Sequence, residues 1–392
     1  MYSRRLKAGY FILEGLNSFG TTLYLYYIYF FTRTMYGFDN KANLALAAAS
    51  GLVYAACSLY GGKFAQRFGY FTALKLGFGL MVAAFAAGSQ VTALWGQVSM
   101  LFLMITGVCF TWPTLEALVS EGETRRGVQN MVGMYNVVWA GTGAIGYFLG
   151  GAILEKLGLR SMFYVPMGIT ALQLAITFWL ERQAKETAGP NKPIDQAAQP
   201  EVQPHAPAKA RCFLKMAWLA NPFAYIAINT LVAVMPGIAA RLGLTTMAAG
   251  FCCSVWCFAR LGAFAVLWFW GGWHYRFRWL LLAYLGLVST FALILLVPNI
   301  AVLVVTQLAF GGALGLIYYS SLFYSMDSSD TKSEHGGIHE AAIGIGNFTG
   351  PAIGALSLHL VPQYANSGAV AVTILLLSGL GGIAWIWKSG RE

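Results

Sequence analysis

A chain of 392 residues would suit two or three soluble domains, yet 58% of it is hydrophobic and only 10% is charged. Soluble domains carry about 25% charged residues, so this chain lacks the charge to cover a water-facing surface. With a mean hydropathy of +0.61 the bilayer is its solvent. The net charge of +10 raises a nucleic-acid partner as a question, which the placement of the cations answers below.

Crossing the hydrocarbon core takes about 20 apolar residues. That length predicts twelve helices, near 8–33, 43–61, 71–90, 95–117, 128–154, 161–181, 214–237, 246–270, 279–297, 300–325, 337–360 and 366–388. The first follows the basic stretch Met1 to Lys7. Its apolar run, Ala8 to Thr32, is longer than the core of a cleaved signal peptide, so it reads as a retained span. Between spans six and seven lies a polar stretch rich in Pro, Gln and Ala with no apolar face, which reads as a flexible linker. The predicted organisation is an N-terminal six-helix bundle over 1–181, a linker over 182–212, and a C-terminal six-helix bundle over 213–392.

Charge sets the orientation. With both termini in the cytoplasm, 19 of the 25 Lys and Arg residues face that side. Five face the other (Arg33, Lys41, Lys156, Arg160 and Arg241), and Arg260 lies inside span eight. Such a bias follows the positive-inside rule. It places the linker in the cytoplasm and explains the net charge by topology rather than by nucleic acid. The expected location is the inner membrane, as a multi-pass protein and a monomer.

The halves echo each other. A shift of 204 positions carries Gly133 onto Gly337, Gly146 onto Gly350, Gly150 onto Gly354 and Glu123 onto Asp327. Two similar six-span halves joined by a linker are the pattern of parallel repeats in a transporter. Other chemistries lack their residues. There is no Gly-x-x-x-x-Gly-Lys loop for a nucleotide-driven pump, and the six cysteines show no zinc-like paired spacing. No cofactor, no metal and no enzymatic activity are expected.

Gly61-Gly62-Lys63-Phe64-Ala65-Gln66-Arg67-Phe68-Gly69, between spans two and three, resembles motif A of the major facilitator superfamily, and the likeness covers essentially the whole chain. Gly62, Arg67 and Gly69 match the motif. Gln66 stands where the family usually has Asp, and Tyr70 and Phe71 replace its trailing basic residues. The resemblance implies a cytoplasmic latch in which Arg67 reaches Glu116, Glu121 or Glu123 at the end of span four. Gly346-Asn347-Phe348-Thr349-Gly350-Pro351 in span eleven is similar to the antiporter motif C, which normally sits in span five. There Tyr147 occupies the proline position. The arginine that proton–drug exchangers carry four residues before a span-four glycine is replaced by Leu103, ahead of Gly107. The implied fold is an all-α integral membrane protein whose two bundles are related by a pseudo-twofold axis.

Ionisable groups at membrane depth cost at least about 2.5–3.5 kcal/mol on insertion scales and commonly mark function. Glu14, Asn17 and Ser18 share one face of span one, which suits Glu14 to carry a proton or bind a cation. A structural carboxylate bonded to a neighbouring helix is the alternative. Arg260 suits a carboxylate or phosphate through paired hydrogen bonds, or an internal partner such as Glu14. The family's organic-anion and monocarboxylate carriers place an arginine in span eight. Trp112, Tyr225, Asn229, Gln307, Tyr318 and Tyr319 are the expected lining of a central cavity for a medium-sized organic solute. His335, His339 and Glu340, at the entry to span eleven, read as a gating or capping network. The two histidines, one turn apart, could also hold a metal.

These residues predict a secondary active transporter of a small organic solute that works by alternating access and is coupled to protons. Two alternatives stand beside it: an organic-anion carrier using Arg260, and a non-transporting membrane sensor on the same scaffold.

Overall fold

The computed structural model describes residues 4–123, 125–188, 208–328 and 332–390, with the side chains of 124–126, 128, 129, 187, 188, 208, 326–328 and 332–341 outside the description. Among the described residues the chain is helical throughout. The N-terminal half folds as α1 (Arg4–Tyr36), α2 (Asn40–Phe68), α3 (Tyr70–Gln90), α4 (Leu94–Ser120), α5 (Arg125–Leu157) and α6 (Ser161–Ala188). The C-terminal half folds as α7 (Ala208–Arg241), α8 (Thr246–Cys253), α9 (Val255–Phe269), α10 (Phe277–Leu296), α11 (Ile300–Ser328), α12 (Lys332–Leu360) and α13 (Ser367–Ser389). Helices α8 and α9 are two halves of one span, giving twelve spans in two six-helix bundles.

Ten spans are long and apolar enough to cross a membrane by composition alone. The first falls short of that measure because Glu14, Asn17, Ser18 and several tyrosines interrupt its apolar run. Most helices run beyond the hydrocarbon length read from the sequence. At the expected linker, α6 continues to Ala188 and α7 begins at Ala208, so both flanks are helical. Glu181 holds α6 at this end by pairing with Lys75 of α3 (2.9 Å) and with Lys185 one turn on (3.1 Å).

One interruption was not legible in the pattern. The eighth span breaks at Ser254, where Gln307 of α11 inserts its carboxamide. Its Nε2 donates to the Cys252 carbonyl (2.7 Å), and its Oε1 accepts from the Trp256 amide (3.4 Å). A side chain placed in the helical hydrogen-bond ladder is a recognised cause of a kink. Arg260, four residues past Trp256, lies against Trp139 of the other bundle.

Small residues set the helix approaches. Gly77 of α3 and Gly107 of α4 face each other, and a Cβ on either would lie 2.7 Å from the other's carbonyl oxygen. Gly146 of α5 packs on the Phe19 carbonyl of α1, and Gly350 of α12 packs on the Ile226 carbonyl of α7. These two glycines are partners in the 204-residue register, so the repeat in sequence is also a repeat in packing.

The bundles meet along two seams, α2 against α12 and α5 against α8 and α9. In the first seam a Cβ on Gly51 would lie 2.6 Å from the Asn347 carbonyl oxygen. In the second, Glu155 accepts a hydrogen bond from the Met247 amide at the start of α8 (2.8 Å). At the end away from the linker, the Asn40 side chain packs on Gly237 of α7. The turn from α2 to α3 is made by Gly69 at φ 91, a conformation that L side chains rarely adopt.

Candidate functional site

Span one presents its polar face to the middle of the N-terminal bundle. Glu14 is fully buried. Its two carboxylate oxygens accept from Ser18 Oγ on the same helix (2.7 Å) and from Tyr135 Oη of α5 (2.9 Å). No cation pairs with it among the described residues. Asn17, also buried, donates to Thr111 Oγ1 of α4 (3.2 Å), and its own oxygen has no partner among the described residues. One face of α1 thus reaches α5 through the Glu14 carboxylate, which takes neutral donors, and α4 through Asn17.

Arg260 on α9 is 7% exposed, and its guanidinium lies between two indoles. Its Cζ is 4.4 Å from the ring centre of Trp139 on α5 and 4.9 Å from that of Trp256 on its own helix. Its Nε is buried without an acceptor, and no ion pair to Arg260 is found among the described residues. Rings from both halves surround it. Trp139 stacks on Tyr318 of α11 (5.5 Å, 13°) and faces Phe264 (6.0 Å, 27°). Tyr26 of α1 lies over Trp256 (6.2 Å, 23°), and Tyr225 of α7 approaches Tyr318 (6.5 Å).

The two places share a helix. Tyr135 and Trp139 are four residues apart on α5 and therefore lie on one face. One reaches the carboxylate of Glu14, and the next turn covers the guanidinium of Arg260. Glu14 and Arg260 are not paired with each other.

The other expected lining residues divide. Tyr225, Tyr318 and Tyr319 lie in the aromatic cluster around Arg260, with Tyr319 6.1 Å from Phe264. Asn229 donates to Asn347 Oδ1 of α12 (2.5 Å), within the C-terminal bundle. Trp112 packs on Tyr54 (6.3 Å), and its buried indole N–H has no acceptor among the described residues. Gln307 is fully buried at the Ser254 break.

At the linker end, Glu123 pairs with Lys7 of α1. Arg67 is exposed and lies over the ring of Phe68 (5.3 Å). Glu116 and Glu121 are half-buried. Gly62 sits inside α2 with open space around it, and the close approach to α4 falls on Gly61, whose missing Cβ would meet the Cys109 carbonyl. The side chains of His335, His339 and Glu340 lie outside the described residues.

Tyr135, Trp139, Trp256 and Tyr26 were not singled out from the sequence. Span five was read for its glycines, although its i, i+4 aromatic pair was a usable signal. A cavity of about 400 Å³ lies elsewhere, at the end of the N-terminal bundle away from the linker, between Phe31, Met35, Gln97, Arg160 and Phe163.

Residues 9–336 match the family model described as Major Facilitator Superfamily. The chain belongs to the major facilitator superfamily. Among curated proteins no sequence match was found. Its fold is similar to that of a point mutant of the nucleoside transporter NupG, with a TM-score of 0.71 at 14% identity, covering 99% of this chain and 100% of that one. It is also similar to the human organic anion transporter MFSD10 (TETRAN), with a TM-score of 0.68 at 14% identity, covering 98% and 99%. A third likeness is to a bacterial homologue of the human lysosomal transporter Spinster in an inward-facing, unoccupied conformation. Its TM-score is 0.68 at 13% identity, covering 99% and 96%. At these identities the likeness shows the fold. This superfamily member is therefore a multi-pass membrane protein, and the three solved structures it is compared with are transporters.

Proposed function

We propose that the protein is a proton-coupled secondary transporter of a small organic solute in the inner membrane, with both termini and the linker in the cytoplasm. Two six-helix bundles rock about a site at their interface, exposing it to one side at a time. The observation that carries this reading is the Glu14–Tyr135–Trp139–Arg260 arrangement, in which one face of α5 touches both ionisable groups. Glu14 is the proton carrier. Its burial, its neutral donors and the absence of a described cation leave the carboxyl able to exist with or without its proton. The positive-inside distribution supports the orientation.

A second reading is favoured by Arg260. A buried guanidinium with an orphaned Nε and no described counter-ion is suited to a carboxylate or another planar anion brought by the solute. The Trp139 stack crosses from one bundle to the other, so a ligand that displaces it alters a contact between the moving parts.

The test has two stages. A thermal-shift screen of metabolites on purified protein identifies a solute, and proteoliposomes then separate exchange from coupling. Glu14→Gln is expected to abolish uptake driven by a pH gradient while preserving counterflow of labelled solute. Gradient-driven uptake at the wild-type rate in that variant overturns the coupling role. Specific stabilisation by a solute that never crosses the bilayer identifies a sensor instead.

A further inference from the structure

The corner between α9 and α10 is unlike the rest of the chain. Of the twelve residues from Trp268 to Trp279, seven are Phe, Tyr or Trp and two are arginines, and the stretch holds four of the chain's 12 tryptophans. No acidic residue occurs anywhere between Glu201 and Asp327.

The corner is built to be rigid on its inner side. Trp273 is buried and donates to the Leu267 carbonyl (3.4 Å). Tyr275 adopts φ 52, a conformation rare for a bulky L residue, and is held there by its amide donating to Tyr324 Oη (3.0 Å). His274 lies flat on Phe323 (4.0 Å, 15°), and Phe277 lies flat on Trp387 (4.4 Å, 3°).

Its outer side is open. Phe269 is 83% exposed and Trp270 41%. Trp270 meets Trp279 edge-on (5.1 Å), and Arg278 lies over Trp279 (5.5 Å). Arg276 and Arg278 are both exposed, and neither forms an ion pair among the described residues. The first turn of α10 contains no acidic residue to offset them.

Exposed aromatic rings settle at the headgroup level of a bilayer, and clustered arginines on its cytoplasmic side attract acidic lipids. We infer that this corner is a binding site for the phosphate headgroup of an acidic glycerophospholipid in the cytoplasmic leaflet. Arg276 and Arg278 engage the phosphate while Phe269 and Trp270 sit beside the glycerol and upper acyl region. The inference rests on the orientation proposed above and is independent of the solute transported. A zwitterionic lipid brings its own cation and fits the corner less well.

The test uses the full chain in nanodiscs of phosphatidylcholine containing increasing fractions of phosphatidylglycerol. The readouts are the thermal unfolding midpoint and lipid retention by native mass spectrometry. Each arginine near the surface is worth about a fivefold preference for acidic lipid, so Arg276→Gln with Arg278→Gln is expected to weaken the response roughly 25-fold. The pair Arg276→Lys with Arg278→Lys is expected to retain most of it. Arg4→Gln with Arg5→Gln, a basic pair outside the corner, is expected to leave the lipid retained in native mass spectrometry unchanged, because retention reports a held headgroup rather than diffuse attraction to surface charge. The inference is overturned if both glutamine pairs respond alike. It is also overturned if the Arg276/Arg278 glutamine pair loses stability equally in pure phosphatidylcholine, or if inorganic phosphate stabilises the protein as well as phosphatidylglycerol does.

Discussion

Replacing Arg260 with methionine separates two kinds of buried arginine by the sign of a stability change. An arginine at mid-span costs about 2.5–3.5 kcal/mol on insertion scales. Its visible compensation is contact with two indoles at 4.4 and 4.9 Å, worth about 1 kcal/mol each. Methionine removes the cost of the charge, keeps most of the volume and loses about 2 kcal/mol of cation–π attraction. The ligand-free protein should therefore be unchanged or more stable by roughly 1 kcal/mol. For a chain of this size that is an upward shift of about 2 °C or less. Thermal unfolding of purified protein in detergent provides the assay, with a carboxylate hit from the ligand screen added in parallel. The expected result is an equal or higher midpoint without ligand and no ligand-induced shift. If Arg260 instead neutralised a carboxylate of the chain, its removal would leave that charge buried and cost about 3–5 kcal/mol. A fall of many degrees would refute the reasoning.

Other perturbations follow from the same contacts. Gln307→Leu leaves the Cys252 carbonyl and the Trp256 amide without the side chain that bridges the Ser254 break. It should cost about 2–4 kcal/mol, read as a lower unfolding midpoint. Gly107→Val places carbon against the Gly77 carbonyl where even a Cβ would lie at 2.7 Å. Separation of α3 from α4 should appear as poor folding yield, and a wild-type yield would refute the close approach. Lys7→Gln removes the partner of Glu123 at a partly exposed site. Such a pair is worth about 0–1 kcal/mol, so stability should barely move; a loss above about 2 kcal/mol would show that the pair is not peripheral.

Most of the scaffold is legible in the amino-acid sequence. Twelve apolar lengths, the 204-residue echo and the charge bias are one-dimensional properties, and the packing of Gly146 and Gly350 gives the echo a physical basis. Helix ends were less legible, because residues 182–188 and 208–213 hold no glycine or proline to mark a boundary. The Ser254 break was invisible because its cause, Gln307, comes from another helix. Site reading shows the same division. Glu14, Asn17 and Arg260 stood out as polar groups in apolar runs, while their neighbours did not. Trp139 is one of 12 tryptophans, and its position over Arg260 depends on how two bundles meet. The motif around Gly62 and Arg67 was readable, yet the side chain that Glu123 meets is Lys7, which lies outside any local motif.

We propose that the two bundles move reciprocally about the site between Glu14 and Arg260. Spin labels paired across the bundles at each end of the molecule, one pair by α2 and α7 near Asn40 and Arg241, the other by α4 and α10 near Ser120 and Arg278, report that motion as distances in proteoliposomes. Adding a solute that binds should lengthen the distance at one end and shorten it at the other, and Glu14→Gln should shift the balance between the two states. Distances that change together, or do not change with a bound and transported solute, would contradict alternating access.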